Sequence, residues 1–111
     1  GINPDPQAPG FRNILFKPNF VPAHQWAKAE HSSPYGMISS EWKKGNGKIN
    51  WTIHVPVNAT ATLYLPVQNE SQITESGKSL SNAKGIRITG KKDGKIILQL
   101  GSGRYRFLLQ Q

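Results

Sequence analysis

The chain reads as an all-β protein, an antiparallel β-sandwich of about eight short strands in one domain, and three observations say so. Residues alternate between apolar and polar over several short runs, the signature of strands with one buried face. Asn46-Gly47 and Asp93-Gly94 stand between such runs, and Asn-Gly and Asp-Gly are the strongest short signals for a hairpin turn. No segment sustains a helical period over three turns. At 111 residues the chain is long enough to bury one core without covalent staples.

Taken in order, residues 1–12 read as a linker in which Pro4, Pro6, Pro9 and Gly10 exclude regular structure. Ile14–Lys17 is a first strand, stopped by Pro18. Gln25–His31 is the second, with Trp26 facing one way together with Lys28 and Glu30, and Ala27 and Ala29 facing the other. Ser33-Pro34-Tyr35-Gly36 supplies a turn. Met37–Lys43 sets Ile38, Ser40 and Trp42 on one side, and after Gly45-Asn46-Gly47 the strand Lys48–Val55 returns with Ile49, Trp51, Ile53 and Val55 inward. In Ala59–Leu65 the inward set is Ala59, Ala61, Leu63 and Leu65, and Thr60, Thr62 and Tyr64 face out. The stretch from Val67 to Gly85 carries the weakest pattern, read as a short strand over Ser71–Glu75, a turn at Ser76-Gly77 and a loop. Ile86–Thr89 and the strand bearing Ile96, Leu98 and Leu100 form a hairpin around Asp93-Gly94. Gly101-Ser102-Gly103 then turns the chain into a last strand with Tyr105, Phe107 and Leu109 inward.

Composition narrows the function. There is no cysteine, which excludes disulfides and thiolate chemistry. No apolar run approaches the roughly 20 residues of a membrane helix. The formal charge of +8, from 14 Lys and Arg against 6 Asp and Glu, favours acidic partners: nucleic acid, anionic lipid or an acidic polysaccharide. The cations are scattered along the sequence, however, and Lys43-Lys44 and Lys91-Lys92 are only pairs, each beside a turn. With no RNP-type motif and no basic stripe, neither nucleic acid nor a membrane is the expected partner.

Reactive side chains are sparse. His24, His31 and His54 lack the spacing of a zinc site, and no cofactor or metal is called for. The acids are Asp5, Glu30, Glu41, Glu70, Glu75 and Asp93, and a glycosidase needs two of them flanking a bond. Glu30 and Glu41 are the one pair that strand pairing brings together, around the Pro34-Tyr35 turn, and exposed cross-strand acids are ordinarily solvated. No nucleophile elbow and no phosphate-binding glycine loop occurs. Among the aromatics, Trp42 and Trp51 share faces with Ile38 and Ile49 and belong to the core. Trp26 and Tyr35 are the candidates for stacking on a sugar ring.

The ordered set Pro9-Gly10-Phe11, Ile14 to Pro18, Trp26-Ala27-Lys28-Ala29, Ser33-Pro34-Tyr35-Gly36, Ser40-x-Trp42, Ala59 to Pro66, Glu75-Ser76-Gly77 and Gly101-Ser102-Gly103-x-Tyr105-x-Phe107 resembles the C-terminal domain of bacterial α-L-rhamnosidases. The likeness spans nearly the whole chain and is weakest around Ile73 and over Lys78–Ala83. It implies a β-sandwich that follows an α/α-toroid catalytic domain, with residues 1–12 as the exit from that toroid and 13–111 as the accessory domain. In that family the acid and base glutamates lie on the toroid, so the resemblance implies no catalytic residue in this chain. The whole enzyme would release terminal α-L-rhamnose by inverting hydrolysis. Two further readings stand beside this one: a carbohydrate-binding module using Trp26 and Tyr35 on acidic or rhamnose-containing polysaccharide, such as chains of rhamnose and galacturonate, and a basic nucleic-acid binder.

Overall fold

A computed structural model describes residues 2–4, 13–16, 26–67, 69–80 and 83–110. Two sheets face each other. One has the order β1 (Ile2–Pro4), β2 (Asn13–Phe16), β6 (Thr60–Leu65), β10 (Lys95–Leu100), β9 (Ile86–Lys92). The other runs β3 (Trp26–Ser33), β4 (Gly36–Gly45), β5 (Lys48–Val55), β11 (Gly103–Gln110), β7 (Ile73–Glu75), β8 (Lys78–Ser79). All pairings among the described residues are antiparallel except β2 with β6, which is parallel. The all-β sandwich is therefore as the sequence predicts, with more strands than about eight because short ones were added.

Each addition has a physical cause. β1 falls within the proline-rich start read as irregular, and pairs Ile2 with Phe16 and Pro4 with Ile14. It is an edge strand, where proline's missing N–H is tolerated. β8, read as loop, is a two-residue strand closing a hairpin on β7, with Glu75 opposite Lys78. Ser76 and Gly77 permit it by adopting φ of 50° and 81°, as a type I′ turn requires. The strand expected over Ser71–Glu75 starts only at Ile73, because Glu70–Gln72 form a 3₁₀ turn. Its entry is held by Asn69 N–H donating to the Gln72 side-chain oxygen at 3.0 Å.

Two further hairpins follow the sequence. Asn46 and Gly47 take φ of 53° and 74°, and Asp93 and Gly94 take 52° and 75°. Chain passage between the sheets occurs at Pro56–Ala59, where Asn58 adopts φ 69° and Ala59 N–H donates to the Pro56 carbonyl at 3.1 Å.

The core fills as the alternation dictates. Ile49, Trp51, Ile53 and Val55 from β5 meet Ala61, Leu63 and Leu65 from β6, all buried. Phe16 of the first sheet stands edge-on to Trp51 of the second at 6.2 Å, and Trp51 contacts Phe107 at 6.2 Å. Burying each such side chain contributes about 1.5–3 kcal/mol. The indole N–H of Trp51 donates to Ser40 Oγ at 2.7 Å, so the largest core residue leaves no polar atom unmet. Tyr105 stacks on Phe107 at 6.1 Å, and its hydroxyl donates to the Gly101 carbonyl at 2.8 Å, securing the turn that starts β11.

Candidate functional site

Among the described strands of four residues or more, β3 is the most exposed. It forms the free edge of the six-stranded sheet, and of its eight residues only Ala27 and Ser33 are half-buried. Trp26 opens it with 63% of its surface exposed, opposite Lys43 on β4. Tyr35 lies in the turn beyond its other end, 38% exposed. Seven steps of about 3.3 Å separate the ends of this strand, roughly 23 Å. The structure thus exposes both sequence-predicted stacking residues and holds them apart, at opposite ends of the sandwich. They do not share one sugar subsite.

Tyr35 lies beside a groove of about 680 Å³ that it lines with Val57, Asn58, Thr60, Gly101 and Ser102. None of these side chains carries charge. The turn itself is fixed by backbone geometry. Ser33 Oγ accepts from Tyr35 N–H at 3.2 Å and donates to the Gly36 carbonyl at 2.8 Å. Gly36 takes φ 128°, and a Cβ there would stand 3.2 Å from the Pro56 side chain.

The described carboxylates lie on a sheet face, in turns and where β7 meets β11. Glu41 pairs across from Lys28, and Glu30 from Ser39, so the two acids the sequence brings together do share a face, one pleat repeat apart. That face is the flat outer side of the sheet. Each acid is matched by a lysine, Lys28 with Glu30 at 3.1 Å and Lys43 with Glu41 at 3.9 Å. The hydrogen bond and charge of Glu30, with a smaller contribution from Glu41, hold the Lys28 ammonium above its ordinary pKa. Glu75 is buried and its carboxylate accepts from Ser76 Oγ and from Arg106 N–H, the latter at 3.0 Å. It substitutes for a missing sheet partner. Glu70 lies in the 3₁₀ turn and Asp93 in a hairpin turn; Asp5 lies outside the described residues.

His31 and His54 occupy opposite faces of the same sheet, since His31 pairs with the inward Ile38 and His54 with the outward-facing Ser39. His24 lies outside the described residues. Among the described residues, no group of three His, Asp or Glu side chains is arranged to hold a metal ion. Among the described residues, no helix is long and apolar enough to cross a membrane.

What fold and side chains together define is a small β-sandwich domain in which Glu30 and Glu41 pair with lysines and Glu75 serves the backbone. Comparison with known proteins then supplies the family. Residues 1–80 match the model of the bacterial α-L-rhamnosidase C-terminal domain, and the chain belongs to that family. An α-L-rhamnosidase of Formosa agariphila is 27% identical over 108 residues, covering 97% of this chain and 11% of that protein. One of Streptomyces avermitilis is 26% identical over 102 residues, covering 92% of this chain and 9% of its own length. The crystal structure of the Streptomyces avermitilis α-L-rhamnosidase complexed with L-rhamnose superposes with a TM-score of 0.80 at 25% identity, over 98% of this chain and 10% of that one. The structure of the α-L-rhamnosidase from Dictyoglumus thermophilum matches equally, with a TM-score of 0.80 at 25% identity and 12% of its chain covered. The chain therefore spans about a tenth of the length of these relatives.

Proposed function

We propose that this chain is the noncatalytic accessory domain of an α-L-rhamnosidase, joined through residues 1–12 to a preceding α/α-toroid catalytic domain. That larger enzyme hydrolyses terminal α-L-rhamnosyl linkages. The observation that carries the reading is the state of the acids. Among the described residues the one pair sharing a sheet face, Glu30 and Glu41, has a lysine against each carboxylate. General-acid work requires the reverse, a carboxyl in a desolvated cleft facing a second one across the scissile bond. Membership of a family that makes up about a tenth of its curated relatives supports the same conclusion.

The test is direct. The purified chain, incubated with an aryl α-L-rhamnoside, is expected to release aryl alcohol no faster than buffer. Turnover by the chain that disappears in Glu30→Gln or Glu41→Gln would refute the assignment.

A further inference from the structure

Folding gathers cations that the sequence scatters. The turn carrying Lys43, Lys44 and Lys48 joins β4 to β5. From it β5 runs the length of the second sheet, the chain crosses at Pro56–Ala59, and β6 returns to Leu65, whose register partner is Ile96. Strands of the two layers of a sandwich run side by side. The β9–β10 turn, with Lys91, Lys92 and Lys95, therefore lies at the same end as the β4–β5 turn. Six of the twelve Lys and Arg among the described residues occupy this end.

Among the described residues the acids there are Asp93, Glu70 and Glu41, and Glu41 faces Lys43, so six cations against three acids leave an excess of three. Lys48, Lys91, Lys92 and Lys95 are exposed. The β9–β10 turn is flanked by two hollows. Tyr64, Lys92, Asp93 and Lys95 line one of about 180 Å³, and Val67 with Lys91, Lys92 and Lys95 lines another of about 280 Å³. Trp26 stands at the same end through its register with Lys43. At this end Tyr64 stands beside Lys92 and Lys95 on one sheet, and Trp26 stands opposite Lys43 on the other.

We infer that this end binds a polyuronate, an acidic polysaccharide with a carboxylate on each ring. Ammonium groups on flexible stems suit carboxylates repeated along a mobile chain, because lysine acts as a point charge and needs no fixed bidentate geometry. Tyr64 and Trp26 offer apolar faces to the sugar rings between the carboxylates. The choice of polysaccharide over nucleic acid rests on the reading of this chain as part of a glycoside hydrolase. The function that follows is to hold the enzyme on an acidic polymer. The uncharged groove beside Tyr35 plays no part in it.

The experiment is an NMR titration of the chain with galacturonate oligomers, run beside the methyl-esterified oligomers and a DNA duplex of similar length. Shifts are expected at Tyr64, Lys91–Lys95 and Lys43–Lys48, with affinity falling about tenfold or more between roughly 20 and 200 mM salt. Esterification, which removes the charge and keeps the rings, is expected to weaken binding by about tenfold, as each lost ion contact weakens it at low salt. Lys92→Glu with Lys95→Glu is expected to do the same. Lys84→Glu with Arg87→Glu makes an identical charge change at the other end of β9 and is expected to cost less than about twofold, since distant exposed charges are screened.

Equal loss from both double variants, tighter binding of DNA, or no shifts at low salt would each overturn the inference. A chain that binds no polyuronate and hydrolyses no rhamnoside would lose this inference and keep the accessory-domain reading. Rhamnoside turnover would remove that reading whatever the titration gave.

Discussion

At one end of the sandwich the chain turns through Pro34–Gly36, Pro56–Ala59 and Gly101–Ser102; at the other it turns through Asn46-Gly47 and Asp93-Gly94. The first end is tied together from inside. Tyr105 reaches the Gly101 carbonyl at 2.8 Å, Gly101 N–H donates to the Gly85 carbonyl at 3.0 Å, and Gly36 lies against Pro56. The second end has turns that stand free: a Cβ added at Gly47 or Gly94 would meet nothing within 4 Å. One end holds the two sheets in register, and the other is left open to present lysines. The difference teaches that turn sequences of similar appearance serve opposite purposes: Gly36 and Gly85 are packed against neighbours, and Gly47 and Gly94 are not.

The sharpest way to break this comparison is to substitute equivalent glycines. Gly85 and Gly94 have nearly the same φ, 79° and 75°, but a Cβ at Gly85 would stand 2.8 Å from the Tyr105 hydroxyl oxygen. Gly94→Ala is expected to cost about 1 kcal/mol, the strain of a left-handed alanine alone. Gly85→Ala adds displacement of a pinned ring, for about 3 kcal/mol in all, since a strained backbone and a lost buried hydrogen bond combine. Thermal unfolding should then show a melting point about 10 °C or more lower for Gly85→Ala than for Gly94→Ala. Equal melting points would mean that the first end is no more tightly tied than the second.

Tyr105→Phe asks the same question of the hydroxyl. It leaves the stack on Phe107 and removes the bond to Gly101, for an expected loss of about 1–2 kcal/mol by denaturant titration. Burial, and then the charge of Glu75, raise the Tyr105 pKa above its ordinary value of 10.0. The unfolded chain therefore loses this proton at lower pH than the folded one. The stabilisation is complete below about pH 10 and is lost as the pH rises through the higher folded value. The wild-type chain should lose stability along that limb, and Tyr105→Phe should lose less. Parallel alkaline profiles would place the sensitivity outside Tyr105.

How much of this was legible in the sequence depends on range. Period-two alternation placed β5 and β6 residue by residue, because one buried face per strand leaves no other register. Asn46-Gly47 and Asp93-Gly94 announced their hairpins, because few other residue pairs accept two positive φ angles. β8 escaped notice because two residues cannot display a period, and β1 because prolines mask an edge strand. The open end was invisible for a different reason. Lys48 and Lys91 are far apart in sequence and come to the same end only because the chain crosses between sheets at Pro56–Ala59. The corner at Tyr105 was half legible: alternation showed that its ring faces inward, and nothing local named the carbonyl its hydroxyl reaches.

The smallest expected effect concerns Trp26, and it sharpens the contrast between what the fold needs and what it presents. Trp51 is 1% exposed and packs against both Phe16 and Phe107; Trp51→Ala should cost about 3–5 kcal/mol, as truncation of a buried indole does. Trp26, 63% exposed on a free edge, should tolerate Trp26→Ala within about 0.5 kcal/mol, the range of surface substitutions that break no packing. The same variant should weaken polyuronate binding several-fold, since aromatic stacking contributes about 1 kcal/mol where it operates. Loss of stability with no loss of binding would reverse the assignment, making Trp26 part of the edge's packing and leaving the lysines and Tyr64 as the recognition surface.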